Sequence, residues 1–342
     1  MEEHVVAEML AGRLHLTERA LRMETVPVPE PGRGQVRIKV AAAGVCLSDV
    51  HLIDGTLTPL YLPEDVVTLG HEVAGVVDVL GDGAEGWTPG QRVLLQAGER
   101  DRRGTVFTRG VDYDGGWAEY ALARQDTLVP IPDDLSFEQA CIIPDAVSTP
   151  WAAVTDTGRT RPGEAVGVWG VGGLGAHAVQ LLRLVGAAPV IAVDPLPAAR
   201  ERALTLGADA ALDPADPGFR AAVKELTGGR GLDVAFDFAG VTPVREQAQT
   251  LLGRRGRLVL AGIANKPVTI ASDSPFNYLQ QAVLGHYGSE AEHVEQLVRL
   301  AGAGRLDLSA SVSDVLPLAD AEEAVRRVQS KEGNPIRLIL RP

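Results

Sequence analysis

Ala165-Val166-Gly167-Val168-Trp169-Gly170-Val171-Gly172-Gly173-Leu174-Gly175 is the stretch that decides the fold. Its first five residues are a short apolar run of the kind that forms a buried strand. Its last six fit G-x-G-x-x-G. Leu174, Ala178, Leu181, Leu182 and Val185 then fall on one face of a helix. With 38 glycines in the chain the motif alone is weak, but a strand before it and a helix after it supply the context that gives it meaning. Gly170 permits the tight turn, Gly172 lets the backbone approach a pyrophosphate, and Gly175 allows helix and strand to pack closely. Gly173 lies in the same turn. The helix N-terminus offers free N–H groups and its positive dipole end to phosphate. Asp194 ends the next apolar run, Val190-Ile191-Ala192-Val193. A carboxylate there can hold both ribose hydroxyls of adenosine and repels a 2′-phosphate, which favours NAD over NADP. The nearest basic residue, Arg200, is six positions on.

Outward from this point the pattern repeats. Val234-Ala235-Phe236-Asp237-Phe238 and Arg257-Leu258-Val259-Leu260-Ala261 read as further strands between amphipathic segments. Such alternation predicts a doubly wound parallel sheet covered on both faces. The first third differs. Val36, Ile38 and Val40 alternate with Arg37 and Lys39, the period of a half-buried strand, and Val73 to Leu80 form a second run that stops at Gly81. Residues 96–116 are polar and glycine-rich and read as a long surface loop. The last fifty residues carry a helical pattern (Val294, Leu297, Val298, Leu300, Ala301) and a final strand, Ile336-Arg337-Leu338-Ile339-Leu340. The expected architecture is a β-rich part, an inserted α/β part, and a return to the first.

The chain has 342 residues, which suits two domains, and 45% hydrophobic against 23% charged residues, which suits a buried core. The net charge of −13 weighs against nucleic acid and against anionic membranes. No apolar run reaches the roughly 18 residues of a membrane span. Met1-Glu2-Glu3-His4 lacks the basic start of a secretory signal, and two cysteines exclude a disulfide framework. A reducing, cytoplasmic location is the expectation.

A second constellation precedes the glycine motif. Cys46-Leu47-Ser48-Asp49-Val50-His51 follows the first strong strand, and Gly70-His71-Glu72 opens the next. A lone cysteine or histidine is more often structural than functional. In this order, with Asp114-Gly115-Gly116-Trp117-Ala118-Glu119-Tyr120 and Pro162-Gly163-Glu164, they resemble the zinc-dependent medium-chain alcohol dehydrogenases over nearly the whole chain.

The resemblance implies a GroES-like catalytic domain at 1–146 and 288–342, with an NAD-binding Rossmann domain at 147–287 and the active site in the cleft between them. It implies one catalytic zinc held by Cys46, His71 and a third ligand. The family usually has cysteine at that third place; here Asp145 stands in Ile143-Pro144-Asp145-Ala146. One thiolate and one carboxylate neutralise Zn²⁺ as two thiolates would. Asp49 is expected to accept the second ring N–H of His71. Glu72 resembles the family acid that approaches the metal during water exchange. Ser48 and His51 match a proton relay, for which a group that changes charge near neutral pH is suited. Thr149 matches a position beside the nicotinamide, and Arg337 an arginine that reaches the pyrophosphate. Leu47 departs from the basic residue many members carry. The four cysteines of a structural zinc are absent from residues 96–114, so that metal is not expected. Cys141, Trp117, His177 and His286 take structural readings.

The expected reaction is reversible hydride transfer between NAD and a small primary or secondary alcohol, giving aldehyde or ketone, in a homodimer or homotetramer. Two alternatives stand beside it. One is a zinc-free NAD(P)H-dependent quinone or enone reductase of the same fold, which Cys46, His71 and Asp145 argue against. The other is a cofactor-binding protein without turnover, which the Ser48/His51 pair argues against.

Overall fold

A computed structural model of the chain describes residues 7–270 and 272–342, so the acidic start Met1–His4 lies outside the described residues. The chain divides into two units, one made of residues up to Ala146 with Ala291–Pro342, the other Val147–Glu290. Among the described residues no helix is long and apolar enough to cross a membrane.

The first unit begins with β1 (Glu8–His15), β2 (Ala20–Pro27), β3 (Gln35–Val45), α1 (Leu47–Asp54), β4 (Val66–Thr68), β5 (Val73–Leu80) and β6 (Arg92–Leu95). It continues through β7 (Gly98–Arg100), β8 (Val106–Thr108), β9 (Tyr120–Arg124), β10 (Leu128–Pro130) and α2 (Phe137–Cys141). A π-helical turn, Ile143–Val147, follows and carries Asp145; such widened turns gather at functional sites. In β3 the predicted alternation holds: Val36, Ile38 and Val40 are buried and Lys39 is exposed.

In the second unit the alternation builds α3 (Ser148–Ala152), β11 (Val166–Trp169), α4 (Gly175–Val185), β12 (Val190–Val193), α5 (Pro197–Thr205) and β13 (Ala210–Leu212). It then adds α6 (Phe219–Leu226), β14 (Leu232–Asp237), α7 (Thr242–Gln249), β15 (Leu252–Leu260), α8 (Asp273–Tyr278) and β16 (Ala282–Gly285). The sheet order is β13-β12-β11-β14-β15-β16, and every pairing is parallel. That is the doubly wound Rossmann order, and its reversal lies between β11 and β14. Both outer and inner faces of β11 and β12 are buried, which is why their sequences are continuously apolar. The chain re-enters the first unit with α9 (Ala291–Gly302), β17 (Val312–Pro317), α10 (Ala321–Ser330) and β18 (Arg337–Arg341).

Sheet register assembles one corner of the first unit. Its larger sheet runs β10-β6-β5-β3-β18-β17, so β3 lies between β5 and β18. Ala43 faces Val73 across one side, and the Gly44 N–H donates to the Glu72 carbonyl at 2.8 Å. Leu338 faces Val45 across the other side. Continuing the first register by two steps and the second by one sets His71, Glu72 and Arg337 around Cys46. Gly44 has to be glycine, since a Cβ there would lie 2.0 Å from Glu72 Oε2. Trp117 is fully buried, and its Nε1 donates to the Gly44 carbonyl at 3.0 Å, which makes it core.

Residues 96–116 do not form a surface loop. β7 and β8 pair as an antiparallel hairpin, and Asp101 Oδ1 accepts the Arg103 and Thr105 N–H groups at 2.8 Å across its turn. Arg109 is fully buried. Its guanidinium donates to the Leu122 carbonyl at 2.7 Å and packs over Tyr113. Polar and glycine-rich composition suggested exposure, yet Gly115 is glycine because a Cβ would meet the Gly70 carbonyl at 2.3 Å.

Candidate metal centre and nucleotide site

α1 sets up the metal corner. Cys46 caps the helix, and Asp49, one turn in, reaches back so that Oδ2 accepts the Cys46 N–H at 2.8 Å. This leaves Asp49 Oδ1 facing His71 Nδ1 at 3.5 Å. Both atoms are buried and otherwise without a hydrogen-bond partner. The aspartate thus stands where it would fix the ring, at ion-pair rather than hydrogen-bond distance. Asp145 Oδ2 lies 3.4 Å from Cys46 Sγ and 3.4 Å from His71 Nε2. Cys46, His71, Glu72 and Asp145 form one cluster whose donor atoms all lie within 4.8 Å of each other.

These spacings fit a metal ion. A tetrahedron with arms of about 2.0–2.3 Å has edges of about 3.3–3.8 Å, the range in which the two 3.4 Å contacts fall. The thiol, imidazole and carboxylate are the donor types zinc takes. The electrostatics agree. Burial by itself would push His71 down, but Asp49, Asp145 and Cys46 hold it well above the ordinary histidine value. The cluster draws positive charge to its centre. Burial also pushes the Glu72 carboxyl up to about 7, against the pull of Arg337.

Arg337, expected at the pyrophosphate, also takes part in the metal corner. Its side chain is buried, with Nη2 2.9 Å from Glu72 Oε1 and Nε donating to both Glu72 oxygens at 3.1 Å. Nη2 also lies 3.4 Å from Cys46 Sγ and from Asp145 Oδ2. Burial opposes its charge, but Cys46, Glu72 and Asp145 outweigh that and raise its pKa. Nε and Nη2 of Arg337 thus serve the acids of the metal corner. Glu72 Oε1 accepts the Ala146 N–H as well, at 3.0 Å, which ties the π-helical turn to the same corner.

Ser48 Oγ lies 3.5 Å from Cys46 Sγ, and His51 follows one turn later on α1, half-buried. Cys141 is fully buried, its thiol donates to the Glu138 carbonyl at 3.3 Å, and burial pushes it well up, as suits core.

In the second unit Gly170 takes φ +86°, and a Cβ on Gly175 would lie 1.8 Å from the Gly170 carbonyl oxygen. The turn and the close packing both demand glycine. Gly172 differs: nothing lies within 4 Å of a Cβ built there, and it is exposed. That open face is where the motif would admit phosphate. Gly173 is held by His177, whose Nδ1 is 2.7 Å from the Gly173 carbonyl. Asp194 is buried at the end of β12. Oδ2 accepts the Val171 N–H and Oδ1 the Leu196 N–H, both at 2.9 Å. Arg200 donates to the Asp194 and Pro195 carbonyls and to Asp213, so its charge is turned to backbone and a second acid. Arg202, which sequence reasoning passed over, donates to the Val171 carbonyl. Thr149 is buried, and its carbonyl is 2.9 Å from His286 Nε2, whose Nδ1 meets Thr157 Oγ1. His177 and His286 therefore brace the turn and α3.

Comparison with known proteins agrees with this construction. The family model described as "Alcohol dehydrogenase GroES-like domain" matches residues 32–133, and "Zinc-binding dehydrogenase" matches 173–303. An NDMA-dependent alcohol dehydrogenase of Amycolatopsis methanolica is 31% identical, covering 96% of this chain and 98% of the relative. An NAD-dependent alcohol dehydrogenase of Sulfurisphaera tokodaii is 28% identical over 94% of this chain and 97% of its own. The crystal structure of the alcohol dehydrogenase of Aeropyrum pernix superposes with a TM-score of 0.87 at 32% identity, covering 97% of this chain and 100% of that one. The chain belongs to the zinc-type medium-chain dehydrogenase/reductase family and is an oxidoreductase acting on CH–OH groups.

Proposed function

We propose that the chain is a zinc-dependent, NAD-linked alcohol dehydrogenase that interconverts a primary or secondary alcohol with its aldehyde or ketone. The observation that carries this is the convergence of Cys46 Sγ and His71 Nε2 on Asp145 Oδ2, each at 3.4 Å, beside the Ser48 hydroxyl. Bound zinc would supply Lewis acidity at an alcohol or carbonyl oxygen, and bound NAD would supply the hydride acceptor or donor. The chain's own residues do the rest. Cys46, His71 and Asp145 hold the metal, and Asp49 orients His71. Glu72 and Arg337 balance charge beside them. Ser48 takes the substrate hydroxyl proton and His51 passes it outward. A zinc-free enone or quinone reductase is disfavoured by the same three donors. The test is NADH formation across a panel of alcohols, with activity lost on chelation and restored by zinc. Turnover that survives complete metal removal contradicts the reading.

Two expected outcomes probe the parts. Gly172→Ala should melt with the parent, because its Cβ meets nothing, yet bind NADH about tenfold more weakly by crowding the phosphate approach. Unchanged affinity in a fluorescence titration argues against phosphate at this turn. His51→Gln should lower kcat about tenfold at neutral pH, with partial rescue by added imidazole. Equal kcat at every pH removes His51 from the relay.

A further inference from the structure

Asp237 is the last residue of β14, the strand beside the reversal of sheet order, and it is fully buried. Its Oδ1 accepts the Ala239 and Gly240 N–H groups, both at 2.9 Å. Its Oδ2 accepts Arg245 Nε at 2.8 Å. Its own carbonyl accepts the Ala261 and Gly262 N–H groups at 3.0 and 2.8 Å. Arg245, buried on α7, sends Nη2 to the Gly262 carbonyl at 2.7 Å. One ion pair thus joins the turn after β14 to the turn after β15.

These two turns touch each other and the nucleotide turn. A Cβ on Gly262 would lie 2.3 Å from Gly240 N, and one on Gly170 would lie 2.9 Å from Ala239 N. In open α/β sheets the ligand crevice lies beyond the carboxyl ends of the strands at the reversal. Asp194 ends β12 on one side of that point, and Asp237 ends β14 on the other. A buried ion pair is a poor source of net stability, because desolvation cancels much of its attraction. What it supplies is geometry: a guanidinium fork and a carboxylate leave little freedom to the two amides and one carbonyl they hold, and the Asp237 backbone carbonyl holds two amides more.

We propose that Asp237 and Arg245 are positioning residues for the dinucleotide, fixing Ala239, Gly240 and Gly262 as the crevice wall on the side away from Asp194. The inference rests on the NAD reading above. The test uses the full-length enzyme with NADH as probe, in the parent, Arg245→Met and Arg245→Lys. Arg245→Met should weaken NADH binding about tenfold, raise the KM for NAD more than it lowers kcat, and speed hydrogen exchange at Ala239, Gly240 and Gly262. Zinc content should not change. Arg245→Lys restores the charge opposite Asp237 but not the fork, so it should recover part of the affinity; it also carries the test if the methionine variant does not fold. Faster exchange with parental NADH affinity in both variants overturns the proposal and leaves a clamp for stability alone. Failure of the parent to bind NADH overturns the NAD reading, and this inference with it.

Discussion

Cys46→Ala should strip the metal from the protein and lower kcat/KM by about 10³-fold or more. In the proposed site the Cys46 sulfur is one of three donors, and the other two would not close a site alone. Lewis-acid stabilisation is worth several kcal/mol, and about 4 kcal/mol is a factor of 10³ in rate. The fold should survive, since Cys46 loses only its sulfur and its N–H keeps Asp49 as partner. NADH binding should stay near the parental value, because the glycine turn and Asp194 belong to the other unit. Elemental analysis, steady-state kinetics and an NADH titration on one preparation separate these effects. Parental activity with zinc still bound would remove Cys46 from the site.

Arg337→Met should destabilise the protein by about 3–5 kcal/mol, the cost typical of breaking a buried pair from one side. The guanidinium is buried among Glu72, Cys46 and Asp145. Glu72 is already pushed up to about 7 by burial with that cation present, so without the cation it would be held protonated, and the loss should grow as pH rises above that range. Adding Glu72→Gln to the same chain should restore a large part of the loss, which a double-mutant cycle in urea would measure. A single-variant loss below about 1 kcal/mol would mean that the pair is not the counter-charge described here.

The parts of this molecule legible in the sequence are those set by local pattern. The apolar run before Gly170, the helical face from Leu174 to Val185 and the alternation in Gln35–Val45 each need only a few neighbours to read. Cys46 and His71 were legible through a motif. The less legible parts are all long-range. Arg337 joins Glu72 across 265 residues because β3 lies between β5 and β18, and no local pattern encodes that register. The 96–116 stretch misled because polarity and glycine signal a loop, whereas Arg109 finds buried carbonyls and Gly115 packs against backbone. Asp237 looks in sequence like one more strand residue. Its role appears only when the turns after β14 and β15 are brought side by side.

Zinc per chain, measured by elemental analysis after exhaustive dialysis without chelator, tests the central claim most directly. About one zinc is the predicted result, matching a single Cys46/His71/Asp145 site. No zinc on active protein would contradict it and return the chain to metal-free reductase chemistry; two would mean a second site outside this cluster.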